Sequence, residues 1–263
     1  LQRQKIIEKV KLETQKFRKM KTQLIALFSS IAMIAAGQSD ADKILEKVDA
    51  NMSSENRIFE SSMTIHGRRN SRTITSKTYS VGDKKSFTEY LSPAREEGTK
   101  MLKLEEQLWI YSPSTDRTIQ ISGHMLRQSV MGSDLSYEDM MDDRKLTELY
   151  NAEVTGEEEI DGRQTWMLEL KAKVDDVAYE SRKIWIDQER YVPLKEELFA
   201  KSGQLLKRST MSDVKQIQGR WFPTTVVYKD MLKQGNGTEF KMTSVKFNQE
   251  IPEYIFSKAA LKK

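Results

Sequence analysis

The residues able to do chemistry are few. Two histidines occur, His66 and His124, and neither has the spacing of a zinc site or of a nucleophile-base pair. Cysteine is absent, which excludes thiol catalysis, disulfide frameworks, Cys-ligated zinc and lipid attachment to a thiol. Ser133, between Gly132 and Asp134, has the small and acidic neighbours of a hydrolase serine. No Gly-x-Ser-x-Gly elbow, phosphate loop or dinucleotide fingerprint surrounds it, and a serine or aspartate ahead of an apolar stretch is an ordinary helix cap. Asp139, Asp142 and Asp143 lack the spacing and glycine of a calcium loop and read as the solvated face of a helix. These residue types give no catalytic group, no metal site and no cofactor, and the expectation is a protein that is not an enzyme.

What remains is apolar surface and the elements that must arrange it. The chain has 263 residues, 38% hydrophobic and 31% charged, with a formal charge of +4. A basic chain raises nucleic acid or an anionic membrane as partner, so the position of the charges decides. Residues 1–19 carry seven Lys and Arg against Glu8 and Glu13, and Lys21 follows. A run of thirteen residues, 24–36, is apolar but for Ser29 and Ser30, and ends in Ala35-Ala36-Gly37. A membrane span needs roughly 20 such residues, whereas a signal peptide needs fewer and a small-residue exit. Residues 20–37 are therefore expected to be a signal peptide cleaved near Gly37, residues 1–19 an upstream extension, and residues 38–263 a single domain. Removing 1–37 takes six net positive charges from +4 and leaves −2, so the basicity belongs to the leader and nucleic acid is not expected as a partner. The cluster Arg68, Arg69 and Arg72 reads as a solvated loop.

The domain begins with one helical signal, residues 40–51, in which Ile44, Leu45 and Val48 recur at helical spacing behind Asp40 and Asp42. Period-two segments follow at 59–65, 74–81, 87–91, 100–104, 108–111 and 117–121. After an interruption they resume at 148–160, 165–171, 181–187, 194–200, 205–216, 221–228 and 238–247. Asp161-Gly162, Ser202-Gly203, Gln218-Gly219 and Gly235-Asn236-Gly237 are hairpin turns, so consecutive strands are antiparallel neighbours. About a dozen such strands without a linker predict one strongly curved antiparallel sheet, mainly β with a few helices. Trp166, Leu168 and Leu170 alternate with Met167, Glu169 and Lys171, so one face is wet and the other needs a cover. The helix supplies part of it, and the interruption at 125–145 the rest. There Ser133 or Asp134 is the expected cap of a short helix, Leu135, Met140 and Met141 its apolar underside, and Gly132 its hinge. Such a segment is either a plug in an ordinary core or a lid over an internal cavity.

Between residues 91 and 141 the chain carries Leu91-Ser92-Pro93, Gly98-Thr99, Trp109-Ile110-Tyr111-Ser112-Pro113, and then Met131-Gly132-Ser133-Asp134-Leu135-Ser136-Tyr137-Glu138-Asp139. Later come Trp185-Ile186-Asp187, Gly219-Arg220-Trp221-Phe222-Pro223 and Ile251-Pro252. In this order the motifs resemble the outer membrane lipoprotein-sorting proteins, the group akin to the periplasmic carrier LolA and the receptor LolB. Val130 and Leu135 depart from the pattern, standing where that family usually has phenylalanine beside Met-Gly-Ser-Asp, and Arg117-Thr118-Ile119 has fewer arginines than usual.

The resemblance implies an unclosed, strongly bent β-barrel whose concave face, under helices, accommodates acyl chains. It implies a periplasmic carrier of lipoproteins or other lipids towards the outer membrane, working between an inner-membrane exporter and an outer-membrane acceptor, and expected to be a monomer. A lipid-binding sensor or regulator on the same fold is the alternative. The cavity is then expected from Phe59, Met63, Ile65, Met101, Leu102, Leu104, Trp109, Tyr111, Trp166, Leu168, Leu170 and Trp185. The lid is expected from Met131, Gly132, Ser133, Asp134, Leu135, Tyr137, Met140 and Met141. An arginine latches the lid in LolA relatives, and Arg57, Arg68 and Arg72 are the candidates here. The direction of each strand residue depends on register, which a one-residue slip inverts.

Overall fold

The computed structural model describes residues 40–67 and 70–262. The segments expected to be an upstream extension and a signal peptide, together with Arg68 and Arg69, lie outside the described residues. Helix α1, residues 40–52, is followed by six strands, β1 (Asn56–His66), β2 (Ser71–Val81), β3 (Lys85–Ser92), β4 (Lys100–Leu104), β5 (Gln107–Ser112) and β6 (Arg117–Ile121). Residues 122–149 hold two 3-10 turns and two short helices, α2 (Tyr137–Met141) and α3 (Leu146–Leu149). Seven strands complete the sheet: β7 (Tyr150–Ile160), β8 (Arg163–Ala172), β9 (Ser181–Asp187), β10 (Pro193–Phe199), β11 (Leu205–Ile217), β12 (Arg220–Asp230) and β13 (Thr238–Phe247).

All thirteen strands form one antiparallel sheet in the order β6-β5-β4-β3-β2-β1-β13-β12-β11-β10-β9-β8-β7. The sheet is not closed, since β6 and β7 are its two edges, and residues 122–149 run from one edge to the other. Hairpin chemistry fixes the register. Asp161 and Gly162 both have positive φ (50° and 75°), as do Gln218 and Gly219 (49° and 83°), the pattern of a type I′ turn that matches strand twist. At Gly237 a side chain is excluded outright, because a Cβ would stand 2.5 Å from the carbonyl oxygen of Tyr228.

Following the ladder from strand to strand sorts the side chains onto two faces. Met63 is opposite Ile74, Thr78 opposite Thr88, Thr88 opposite Met101 and Met101 opposite Ile110. In the other direction Met63 is opposite Phe240, Phe240 opposite Val226, Glu196 opposite Ile184 and Ile184 opposite Leu168. These residues share the inner face. Helix α1 covers one end of it: Ala41, Ile44, Leu45 and Val48 bury against Leu168, Leu170, Ile184 and Ile186. Each fully buried aliphatic side chain there contributes about 1.5–3 kcal/mol. Asp49, on the same helix, accepts the backbone N–H groups of Leu146 and Thr147 at 3.0 and 3.1 Å, tying α3 to α1.

The outer face is not wet throughout. Phe87, Leu102 and Trp109 point outward from β3, β4 and β5, and Phe256 and Leu261 of the C-terminal turns pack over them. The reason is in the sequence of β4 and β5. Met101-Leu102 and Leu108-Trp109-Ile110-Tyr111 are continuous apolar runs, which need burial on both sides, not alternating patterns, which need it on one. The segment expected as strand from residue 148 begins instead at Tyr150, because Leu146–Leu149 forms α3.

Candidate functional site

At the end of the inner face away from α1, the sheet and residues 122–149 enclose a cavity of about 180 Å³. Phe59, Met63, Ile74, Tyr90 and Phe240 line it from the sheet, and Leu135 and Met140 from the cover. One wall is polar. Ser76, Thr78 and Ser80 alternate along β2, facing Ser86 and Thr88 of β3, with Arg57, Asp139, Asp143 and Tyr228 at the same wall. Ser61 and Ser76 share a hydrogen bond of 3.0 Å, and Thr78 and Thr88 one of 2.9 Å, so the hydroxyls are satisfied pairwise across strands. A larger groove of about 560 Å³ lies towards the β7 edge, where Glu153, Glu169, Lys171 and Lys183 stand among Ala152, Leu170 and Phe199, and no residue of the 122–149 cover lines it.

The cover is held by contacts of three kinds. Its apolar underside, Val130, Leu135, Tyr137, Met140 and Met141, packs on Met63, Ile74, Tyr90, Met101 and Leu108. Its backbone is gripped by cations of the sheet: Arg72 donates to the carbonyl of Met131, and Lys103 to that of Met141. Its carboxylates reach inward. Asp139 accepts from Lys207 of β11 and from the hydroxyl of Tyr179, and Asp143 accepts from Arg57 at 2.7 Å. Asp134 accepts from the Thr238 hydroxyl at 2.8 Å and from the backbone of Asp230 at 2.9 Å.

Three expectations are corrected here. The cap of α2 is Ser136, not Ser133 or Asp134: its hydroxyl accepts the N–H of Asp139, whose carboxylate accepts the N–H of Ser136 in return, a reciprocal capping box. Ser133 is wholly buried and bonds within its own turn, and Asp134 is engaged by β12 and β13. The Asp139, Asp142 and Asp143 cluster is a solvated face only at Asp143, which is 40% exposed; Asp139 and Asp142 are largely sheltered, and the three pair with Lys207, Arg144 and Arg57 respectively. Arg72 is not in a loop either: it lies on β2, and its partly exposed guanidinium donates to the Met131 carbonyl and pairs with Glu96.

The predicted cavity residues divide into three groups. Phe59 and Met63 line the cavity, and Ile65 and Met101 belong to the cluster around it. Trp166, Leu168 and Leu170 are on the inner face but under α1. Leu102, Leu104, Trp109 and Tyr111 are on the outer face with the C-terminal turns. Trp185 is outer as well: it stands opposite Met167, its indole N–H donates to Glu158 at 2.6 Å, and Lys195 lies 3.9 Å over its ring. Of the predicted lid residues, Met131, Leu135, Tyr137, Met140 and Met141 meet the cavity cluster, while Met131 and Gly132 both take positive φ (51° and 74°) where the chain doubles back. Ile74, Tyr90 and Phe240 were not anticipated. Their alternation with Thr73, Thr75, Glu89 and Glu239 was the available signal.

The electrostatics bind the cover most firmly at neutral pH. Burial raises the carboxyl of Asp139, but the charge and hydrogen bond of Lys207, with bonds from Tyr179 and Ser136, outweigh it and hold the group below the ordinary 3.8. A depressed folded value means the contribution is complete above the unfolded value and disappears as pH falls through the folded one. The stability difference between the protein and its Asp139→Asn variant, followed by thermal unfolding, is therefore expected to be constant from pH 7 to pH 5 and to vanish only below 3.8.

Comparison with solved structures places this arrangement. The fold matches a domain from Vibrio parahaemolyticus described as an outer membrane lipoprotein-sorting protein (24% identity, TM-score 0.75, 86% of this chain and 100% of that one). It matches a DUF1329 family protein from Desulfovibrio piger at 23% identity and TM-score 0.77, over 86% and 99% of the two chains. A LolA superfamily protein from Nitrosomonas europaea shares 26% identity at TM-score 0.70, over 84% of this chain and 98% of that one. A family model described as that of an uncharacterized protein matches residues 82–263, well over half of the chain. The chain belongs to the family of that model, and its fold is the LolA-like one. No curated protein matches it. Among the described residues, no helix is long and apolar enough to cross a membrane, and no three His, Asp or Glu side chains could hold a metal.

Proposed function

We propose that this LolA-like protein is an exported carrier that shields acyl chains of lipoproteins or other lipids in the cavity under residues 122–149, for transfer towards the outer membrane. The observation that carries the reading is the methionine- and leucine-lined cover, pinned over an apolar wall by reversible polar contacts. A cavity of about 180 Å³ is smaller than the roughly 300–1,000 Å³ of sites that enclose a drug-sized ligand. In this reading the arrangement is the closed state, and a lipid enters by displacing Leu135, Met140 and Met141 from the space they fill. An acyl chain gains about 0.8 kcal/mol per buried methylene. Release is possible because the cover's own apolar side chains re-bury when the cargo leaves, so only the difference between the two states holds the lipid. In this reading residues 1–19 are an upstream extension, 20–37 a cleaved leader, and 38–263 a monomeric periplasmic domain. It receives cargo from an inner-membrane exporter and passes it to an outer-membrane acceptor.

The test is to export the full chain in a bacterium, purify it without detergent, extract it with organic solvent and identify lipids by mass spectrometry. Near-stoichiometric lipid or lipopeptide is expected. No bound lipid, together with no uptake of an added fluorescent fatty acid, would overturn the carrier and leave a regulatory role on the same fold.

A further inference from the structure

Carriers of bare acyl chains need only apolar walls, and the inner face here is not only apolar. Between the α1-covered end and the cover lies a belt of buried charge: Arg57 on β1, Lys207 on β11, and the Arg182–Glu196 pair of β9 and β10 at 2.9 Å. Arg182 and Glu196 pair within the sheet, through Nη1 of the guanidinium, and Arg182 Nε is left without a partner among the described residues. Arg57 and Lys207 differ, because their acidic partners, Asp143 and Asp139, belong to the cover. The two pairs form one cluster. Arg57, Asp139, Asp143 and Tyr228 line the same wall of the cavity, and Lys207 joins them through its ion pair with Asp139. Side-chain exposure is 19% for Arg57 and 13% for Lys207; Asp139 is as sheltered as its lysine, whereas Asp143 is 40% exposed, so the Lys207 pair is the more deeply placed of the two.

Moving the cover to admit a cargo withdraws both carboxylates and leaves two sheltered cations unpaired, the costly half of a broken buried ion pair. An incoming anion removes that cost. We propose that the cargo is an anionic amphiphile whose phosphate or carboxylate replaces the carboxylates of Asp139 and Asp143 at Lys207 and Arg57, while its chain replaces Leu135 and Met140. The Ser80 and Thr88 hydroxyls beside Arg57 supply further donors to the same headgroup, and Arg57 Nε already donates to Ser80 Oγ at 3.3 Å. The cover's acids thus occupy the headgroup site in the closed state, which couples opening to the arrival of charge as well as of chain. This inference rests on the carrier reading and narrows its cargo class.

Hexadecyl phosphate, hexadecanoate and hexadecanol share one chain length and separate headgroup from chain. Affinities are measured by displacement of a fluorescent fatty alcohol from the full-length protein, with folding of every variant checked by thermal unfolding. At least one of the two anions is expected to bind tenfold or more tightly than the alcohol, and their relative order tells a phosphate site from a carboxylate site. Lys207→Gln with Arg57→Gln is expected to bring the anion-to-alcohol ratio close to one. Asp139→Asn, which frees Lys207 without removing it, is expected to raise the ratio, a gain that a merely damaged fold does not produce. Equal binding of anion and alcohol by the unaltered protein, or a ratio unmoved in both variants, overturns the headgroup site and leaves the carrier standing. Binding of none of the three overturns both.

Discussion

Trp109→Ala is expected to lower the free energy of unfolding by about 3–5 kcal/mol, the usual cost of deleting a buried large aromatic, while leaving the lipid bound per folded molecule unchanged. Trp109 is 5% exposed and packs with Leu102, Phe256 and Leu261, and Lys258 lies 4.1 Å over its ring. All of these are on the outer face, with the thickness of the sheet between them and the cavity. Denaturant unfolding measures the first quantity, and extraction with mass spectrometry measures the second. A variant that loses lipid in proportion to nothing but its folded fraction agrees with this placement. A folded variant stripped of lipid would put Trp109 back on the cavity side.

Leu135→Asp is expected to do the reverse. Leu135 sits on the cover with 8% exposure, packed on the cluster of Met63, Ile74 and Tyr90. The substitution removes a buried aliphatic group worth about 1.5–3 kcal/mol and sets a further carboxylate close to Asp134 and Asp139. The cover is then held away from the sheet, and the wall it shares with the cargo is lost. Affinity for a fluorescent fatty acid should fall at least tenfold, about 1.4 kcal/mol or more, with a smaller loss of unfolding free energy than Trp109→Ala shows. The thirteen-stranded ladder and the α1 cluster do not depend on Leu135. Equal loss of binding and of stability would make this residue ordinary core.

These two residues also mark how far the sequence can be read. All thirteen strands were legible, because period-two alternation and the Asp161-Gly162 and Gln218-Gly219 turns are local signals that the sheet obeys. The face of a strand residue was legible only where alternation was strict. Trp166, Leu168 and Leu170 alternate with polar residues and their shared inner face followed. Leu102 and Trp109 stand in unbroken apolar runs, and nothing local says which neighbour faces the tail and which the cavity. The apolar Ile251, Ile255, Phe256 and Leu261, set among charged residues of the C-terminal stretch, were the hint that a second face needed covering. The inward aspartates were beyond reach. Lys207 is far from Asp139 in sequence, and only the path of the sheet brings β11 beside the cover. A charged triplet taken alone resembles a solvated surface.

The place of β13 beside β1 has a consequence for how the molecule is made. Strands β1 to β6 form one meander and β7 to β13 another, each built from neighbours in the chain. The seam between them pairs Arg57 with Phe247 and Met63 with Phe240, contacts spanning most of the described sequence. Such distant pairings are slow to find, because the loop must close before the ladder rewards it. During synthesis each half can settle on its own, yet neither can present a finished concave wall until the last strand arrives. The hollow therefore comes into being late and all at once, and a partly made molecule has no complete place in which to trap the wrong greasy guest.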